Sequence, residues 1–215
     1  MGEIPDMRIG TVAALWRYPV KSLEREALVS ATVLSDGLAG DRTRALIVAS
    51  PGHARAGKPL RGKEHNRLHT VAQAEDGVAL AHAAGISVDV APPDRYFDAQ
   101  PVSILFDIWL ADVAELVGRQ LDPLRYRPNI FAHAAWGFDR REAAMIGMTL
   151  AIGSVVLQVV DRIGRCVTTT YDVTTGESDP AVLREVAQRR DNTVGIYCTV
   201  AQPGEMKRGD AIVHT

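Results

Sequence analysis

The chain has 215 residues, 47% of them apolar, enough for one sizeable core or two small ones packed together. Its 24 basic and 26 acidic residues give a net charge of −2. The basic residues are scattered along the sequence rather than striped, which argues against a nucleic-acid partner. No apolar run approaches the roughly 18 residues of a membrane span. The opening Met1-Gly2-Glu3-Ile4-Pro5-Asp6 lacks the basic-then-apolar order of a secretory signal, and Asp6 stands where a myristoylation site needs Ser or Thr. Two cysteines make no disulfide framework, so a reducing cytoplasm is the expected setting.

The first half of the chain reads as strands. Residues 8–16 form one that runs into Tyr18-Pro19, where proline ends the ladder or marks an edge. Residues 27–34 alternate, Asp36-Gly37 and Gly40-Asp41 mark a turn, and 43–49 form a β-branched and apolar run. Residues 51–66 are rich in Gly, Pro, Arg, Lys and His without a period, which predicts an exposed loop over a site or partner. Further short strands are expected at 67–74 and 86–90. Ala91-Pro92-Pro93-Asp94 is a break signal, so a boundary is placed there, dividing residues 1–96 from 97–215.

The second half carries two helices. Ile108, Leu110, Ala111, Ala114, Leu116 and Val117 give residues 107–117 a broad apolar face, with Gly118 as the stop. A second helix starts at Asp179-Pro180, a good cap followed by a residue suited to the first turn, and runs to Arg189-Arg190. Strands are expected near 129–134, 149–160, 194–201 and 211–214. Many short strands with few helices predict a mainly β (α+β) fold, a β-barrel with helical additions.

The sharpest candidate for chemistry is Cys166, within Arg162-Ile163-Gly164-Arg165-Cys166-Val167-Thr168-Thr169-Thr170. Guanidinium charge favours the thiolate, which is both a nucleophile and a soft metal ligand. The alternative is an ordinary core cysteine. Cys198 sits in the apolar run Val194–Val200 with no adjacent charge and reads as structural. Lys21 and Ser22 follow a strand end; together they suit a phosphate, although a solvated charge at a turn looks the same. Asp41 is placed to orient Arg42, whose planar fork suits a phosphate or a ring oxygen. In Arg127-Pro128-Asn129, proline biases Arg127 to an extended backbone, so Arg127 and Asn129 reach one ligand only at a bend. His65 and His69 invite a zinc reading, but in an extended segment they stand roughly 13 Å apart, too far to share a metal.

Taken in order, Tyr-Pro-Val-Lys-Ser (18–22), Gly-Leu-Ala-Gly-Asp-Arg (37–42), Arg-Pro-Asn (127–129), Ile152-Gly153, Arg165-Cys166, Thr175-Gly176, Gly195-Ile196-Tyr197 and Gly209-Asp210 resemble the MOSC family. That family includes the C-terminal domains of molybdenum-cofactor sulfurases and the mitochondrial amidoxime-reducing components. The resemblance spans nearly the whole chain, with residues 1–96 similar to a shortened MOSC N-terminal β-barrel region and 97–215 to the MOSC domain. It implies a pyranopterin molybdenum cofactor, with Cys166 as the metal ligand and catalytic residue. It implies that Lys21, Ser22, Arg42, Arg127 and Asn129 hold phosphate and pterin, with Arg165, Thr168 and Thr169 beside the metal. The chain departs from the amidoxime reducers in its short 90–97 segment and in Trp109, which stands where a small hydroxyl residue is expected. With no iron–sulfur segment and no desulfurase domain, the implied partners are a separate electron donor or sulfur donor and a small-molecule substrate, with no nucleic acid and no membrane. The activity implied is reduction of N-hydroxylated or related substrates. The alternatives are a sulfur carrier through a Cys166 persulfide and a cofactor-free binding module. If the site is real, Lys21, Ser22, Arg42, Arg127 and Cys166 must converge on one pocket.

Overall fold

The computed structural model describes residues 7–215; the reading of the chain's first six residues lies outside them. The chain opens with β1 (Met7–Arg17), followed by β2 (Glu26–Leu28), β3 (Ser30–Leu34), β4 (Gly37–Leu38) and β5 (Leu46–Val48). Then come α1 (Ala74–Ala83), β6 (Val88–Val90), β7 (Val102–Phe106), α2 (Asp107–Val117) and β8 (Ile130–Ala134). The last part holds β9 (Thr149–Ile152), β10 (Val155–Gly164), α3 (Pro180–Arg189), β11 (Thr193–Gln202), β12 (Gly204–Lys207) and β13 (Ala211–His214).

Seven strands close into a barrel in the order β13-β9-β10-β11-β7-β8-β1, and β1 returns to pair with β13. All neighbours are antiparallel except β7 and β8. A parallel pair needs a long crossover, which α2 and the segment after it supply. Register shifts at Arg8/Gly10, at Val12/Ala14 and along the β10–β11 pair bend the strands enough to close the ring. The barrel core is aliphatic and aromatic, with Ile104, Leu105, Phe106, Trp109, Ile130, Leu157 and Ile196 almost fully buried. A smaller cluster of Val20, Leu23, Leu46, Val48, Leu60, Leu68 and Ala81 lies under β5, β6 and α1. Thus β1 closes the barrel of the C-terminal strands, while Val20, Leu23 and residues between Leu46 and Val88 supply the satellite cluster.

Both expected helices form where their boundary signals lie. Asp179 Oδ1 accepts from Ala181 N (3.0 Å) at the start of α3. Gly118 ends α2 in the left-handed conformation, its N–H bonded to Ala114 O at 2.9 Å. Two strand expectations fail. Residues 67–74 are not a strand but a 3-10 turn, Leu68–Thr70, leading to α1 at Ala74. The α1 sequence, AEDGVALAHA, has little amphipathic contrast; good helix formers and acids in the first turn carry it. Residues 149–160 are two strands, because Gly153 (φ +59°) and Ser154 turn the chain into a hairpin. Trp109 lies in the barrel core, edge-on to Phe106 (5.0 Å), its indole N–H donated to Arg140 O (2.8 Å).

Candidate functional site

One end of the barrel opens into a cavity of about 260 Å³ between the strand ends and the satellite cluster. Lys21, Ser22, Arg42, Arg127, Arg165, Cys166, Thr168 and Thr169 all line it. The expected convergence is therefore met, from segments up to 148 residues apart in sequence numbering (169 − 21). Asn129 lies one layer behind. Its Oδ1 accepts from the Ser103 N–H (3.1 Å) and hydroxyl (2.9 Å), and its Nδ2 donates to Trp16 O (3.3 Å). Asn129 thus ties β1, β7 and the start of β8 together, and Ser103 is the residue of that knot that reaches the cavity.

The backbone is strained where the site is built. Ser22 (φ +73°), Arg42 (φ +47°) and Arg127 (φ +51°) are three of the five non-glycine residues with positive φ among the described residues. Such conformations cost free energy and persist only where surrounding structure imposes them. Arg127 is not extended, as Pro128 alone would dictate. It caps the 3-10 turn Pro123–Tyr126, its N–H bonded to Leu124 O (3.1 Å), and this bend carries its side chain to the cavity. At Arg42, the Asp41 carboxylate pairs with the guanidinium and also accepts from Tyr18 N (2.7 Å), clasping the end of β1 to the 37–42 turn.

Among the described residues, eight cationic side chains line the cavity against one carboxylate, Asp98, so charge scattered in the sequence is concentrated in space. Some of it is compensated. Lys21 bonds Asp98 and Tyr96 O (2.7 Å), Arg61 pairs with Glu64, and Arg125 donates to Asp172 (3.1 Å) and Thr170 O (2.8 Å). Burial is the largest influence against the charge of Arg42, but its neighbours, Asp41 foremost, together raise its pKa. Arg127 and Arg165 have no carboxylate partner among the described residues. Arg127 donates to Leu23 O (2.7 Å), and Arg165 to Val194 O (2.8 Å) and Tyr126 O (2.9 Å). Burial lowers each of these guanidinium pKa values to about 10, and both stay charged at neutral pH. Two desolvated cations without anions form an unfinished arrangement, which an anionic ligand would complete.

Cys166 follows β10 and precedes the 3-10 turn Val167–Thr170. Thr169 holds that turn, its N–H (3.1 Å) and hydroxyl (2.9 Å) both donated to Cys166 O. Sγ is exposed, 3.2 Å from the Thr168 hydroxyl. Arg162, expected beside the thiol, reaches Asp191 instead (3.5 Å). Cys198 is fully buried in β11, and burial pushes its thiol pKa up.

The 51–66 loop is anchored rather than free: Leu60 joins the satellite core, while Arg61, Gly62 and Lys63 reach the cavity mouth. His65 and His69 serve different partners. The His65 ring accepts from Arg67 N (3.3 Å); His69, on the cavity wall, stacks on Tyr171 (6.1 Å) and donates Nε2–H to Asp172 O (2.7 Å). Burial lowers the His69 pKa. Tyr18, Arg61, His69, Ser103, Arg125 and Tyr197 were missed as lining residues. Of these, Tyr18 and Tyr197 carried a local signal, their places in the 18–22 and 195–197 motifs.

A closed mixed barrel with a strand-end cavity holding an exposed cysteine and uncompensated arginines defines the class. The MOSC domain model matches residues 92–213, and the chain belongs to the MOSC domain family, which is associated with molybdenum-cofactor-related proteins. The YuaD protein from Bacillus subtilis has a similar fold, at 15% identity and a TM-score of 0.59, with 98% of each chain covered. YiiM from Escherichia coli is 12% identical with a TM-score of 0.48, over 97% of this chain and 70% of that one. A comparison with the curated proteins gave no match. No helix among the described residues is long and apolar enough to cross a membrane.

Proposed function

We propose that the cavity binds a pyranopterin molybdenum cofactor and that the protein reduces N-hydroxylated or related small substrates with electrons from a separate donor protein. The observation that carries this reading is the meeting of an exposed thiol with two carboxylate-free guanidinium groups in one cavity. The donor set fits the group: a soft sulfur suits molybdenum, and fixed cations suit the cofactor's phosphate. Cys166 Sγ would be the metal ligand. Lys21, Ser22, Arg42 and Arg127 would hold the phosphate and pterin, with Asn129 fixing the wall behind them. Arg165 would contribute charge beside the thiol, and Thr168 a hydroxyl. When bound, molybdenum supplies two-electron redox chemistry; the chain's own residues bind, orient and neutralise charge.

A persulfide carrier using the exposed Cys166 thiol is the second reading. The free thiols fit the reducing cytoplasm proposed as the setting. The test is molybdenum and pterin analysis of protein purified from a cofactor-competent host, with Cys166→Ser in parallel. Near-stoichiometric molybdenum in the wild type and none in Cys166→Ser supports the proposal. Sulfane sulfur on Cys166 without molybdenum would support the carrier, and neither would overturn both.

A further inference from the structure

Arg42 and Arg127 present a physical problem. Both are like-charged and largely withdrawn from water, Arg42 Nη2 donates to the Arg127 carbonyl (3.4 Å), and only Arg42 has a carboxylate partner. Their mutual repulsion would drive Arg127 out of the wall unless something opposes it. Both pack against the ring of Tyr18, which is 1% exposed. Its ring centroid is 4.7 Å from the Arg42 guanidinium carbon and 4.2 Å from that of Arg127. An aromatic face is negative in its quadrupole and attracts cations within about 6 Å.

We propose that Tyr18 is the positioning residue of this site, its ring face serving as a neutral platform that holds two guanidinium groups together as a preorganised clamp for a phosphate-type oxyanion. The inference rests on the proposed reading of the cavity and adds to it the residue that assembles the anion subsite.

Four details support it. The ring is fixed at both ends: Tyr18 N donates to Asp41 Oδ1 (2.7 Å) and the hydroxyl to Pro128 O (3.1 Å), so the platform is tied to the segments that carry both arginines. Tyr18 O accepts from Arg42 N (2.7 Å), which helps impose the left-handed backbone at Arg42. Burial raises the phenol pKa to about 12, so Tyr18 stays a neutral hydroxyl donor. A phenolate or a carboxylate in its place would neutralise the arginines and compete with an incoming anion; a quadrupole holds them without doing so.

The test uses the cofactor-free full chain and inorganic pyrophosphate, with binding followed by calorimetry. Tyr18→Phe keeps the ring and removes only the bond to Pro128 O; Tyr18→Leu removes the ring. Because Tyr18→Leu can fail to fold, the ring is also tuned in place with 4-fluoro-, 3,5-difluoro- and pentafluorophenylalanine, which keep its shape and withdraw charge from its face. The expected result is affinity within about twofold of wild type for Tyr18→Phe and a stepwise fall along the fluorinated series. That fall should reach about tenfold or more at the pentafluoro ring, the strength of a single desolvated cation–π interaction. Circular dichroism should be unchanged across the series; a merely structural role for the ring would not follow its charge distribution. Pyrophosphate binding that is equal for the phenyl and pentafluorophenyl rings would overturn the platform while leaving the anion site standing. Absence of pyrophosphate binding by the wild type would overturn both.

Discussion

Gly195 couples the barrel to the candidate site, and Gly195→Ala should damage both. The residue sits in β11 at φ +87°, a conformation that costs a side-chain-bearing residue about 1–2 kcal/mol. An added Cβ would stand 2.9 Å from Ile104 O, 3.1 Å from Arg165 Nη2 and 3.4 Å from Ile163 Cδ1. The carbonyl cannot move aside, because β7 and β11 are paired at Ile196–Ile104. Overpacking of this kind costs a further ~1–3 kcal/mol. The sum, about 2–5 kcal/mol, corresponds to a Tm lowered by roughly 4–20 °C for a chain of this size. The right comparison is Gly118→Ala: Gly118 has nearly the same φ (+78°) but nothing within 4 Å of its Cβ position, so it bears the backbone cost alone. Differential scanning fluorimetry of the two variants isolates the steric part. Gly195→Ala should also push Arg165 out of its bonds to Val194 O and Tyr126 O, lowering molybdenum occupancy or pyrophosphate affinity, while Gly118→Ala leaves both unchanged. A Tm for Gly195→Ala no lower than that of Gly118→Ala would refute the reasoning.

Alkylation near neutral pH should modify exposed Cys166 well before buried Cys198. Cys198→Ser should lose about 1–3 kcal/mol in denaturant unfolding by placing a hydroxyl in an apolar strand, and Cys166→Ser less than ~0.5 kcal/mol. Asp98→Asn removes the only carboxylate among the described residues that lines the cavity and frees Lys21, so pyrophosphate should bind more tightly; because the Asp98 side chain is 73% exposed, the gain is about two- to fivefold. The His69 pKa is lowered by burial, so the unfolded chain binds its proton first and stability falls as pH drops below the ordinary histidine value toward the folded one. His69→Gln should therefore lose less Tm than wild type between pH 7.5 and 5.5; an equal loss would show that His69 makes no contribution in that window.

What the sequence disclosed and withheld follows from the range of the forces involved. Helices α2 and α3 were legible because their boundaries are local: Gly118 adopts a left-handed turn and Asp179 caps its own helix. Helix α1 was not, because its periodicity is weak and its packing is close rather than extensive. A Cβ on Gly77 would lie 2.9 Å from Leu46 Cδ1, a proximity visible only in three dimensions. The β9–β10 hairpin was hidden because the sequence on both sides of the turn is mostly apolar, leaving Gly153-Ser154 as the one sign of a turn. Strand β7 is buried along its whole length and shows no alternation to read. The candidate site was legible through motifs, since Lys21, Ser22, Arg42, Arg127 and Cys166 each stand in a recognisable segment. Arg61, His69 and Arg125 have no such motif; the 3-10 turns and the loop anchored by Leu60 bring them to the cavity.

The left-handed backbone at Arg127 shows why local rules misjudge a site of this kind. Pro128 disfavours a helical Arg127, and an extended residue there would have placed Arg127 and Asn129 on opposite faces. The left-handed bend separates their roles differently: the guanidinium goes to the cavity, and the Asn129 amide goes back into the barrel to hold Ser103 and Trp16. The bend is unfavourable by itself, and so are a buried cation without a carboxylate and the like charge of Arg42 beside it. A structure that tolerates all three at one point must recover their cost elsewhere. Here the recovery lies in Tyr18, in the Asp41 clasp and in the Asn129–Ser103 knot, none of which touches Cys166 yet all of which fix charge at the cavity wall. Substitutions in those supporting residues should therefore affect anion binding before they affect thiol reactivity, and the order of the two losses distinguishes a preorganised charge site from a reactive cysteine that merely lies near arginines.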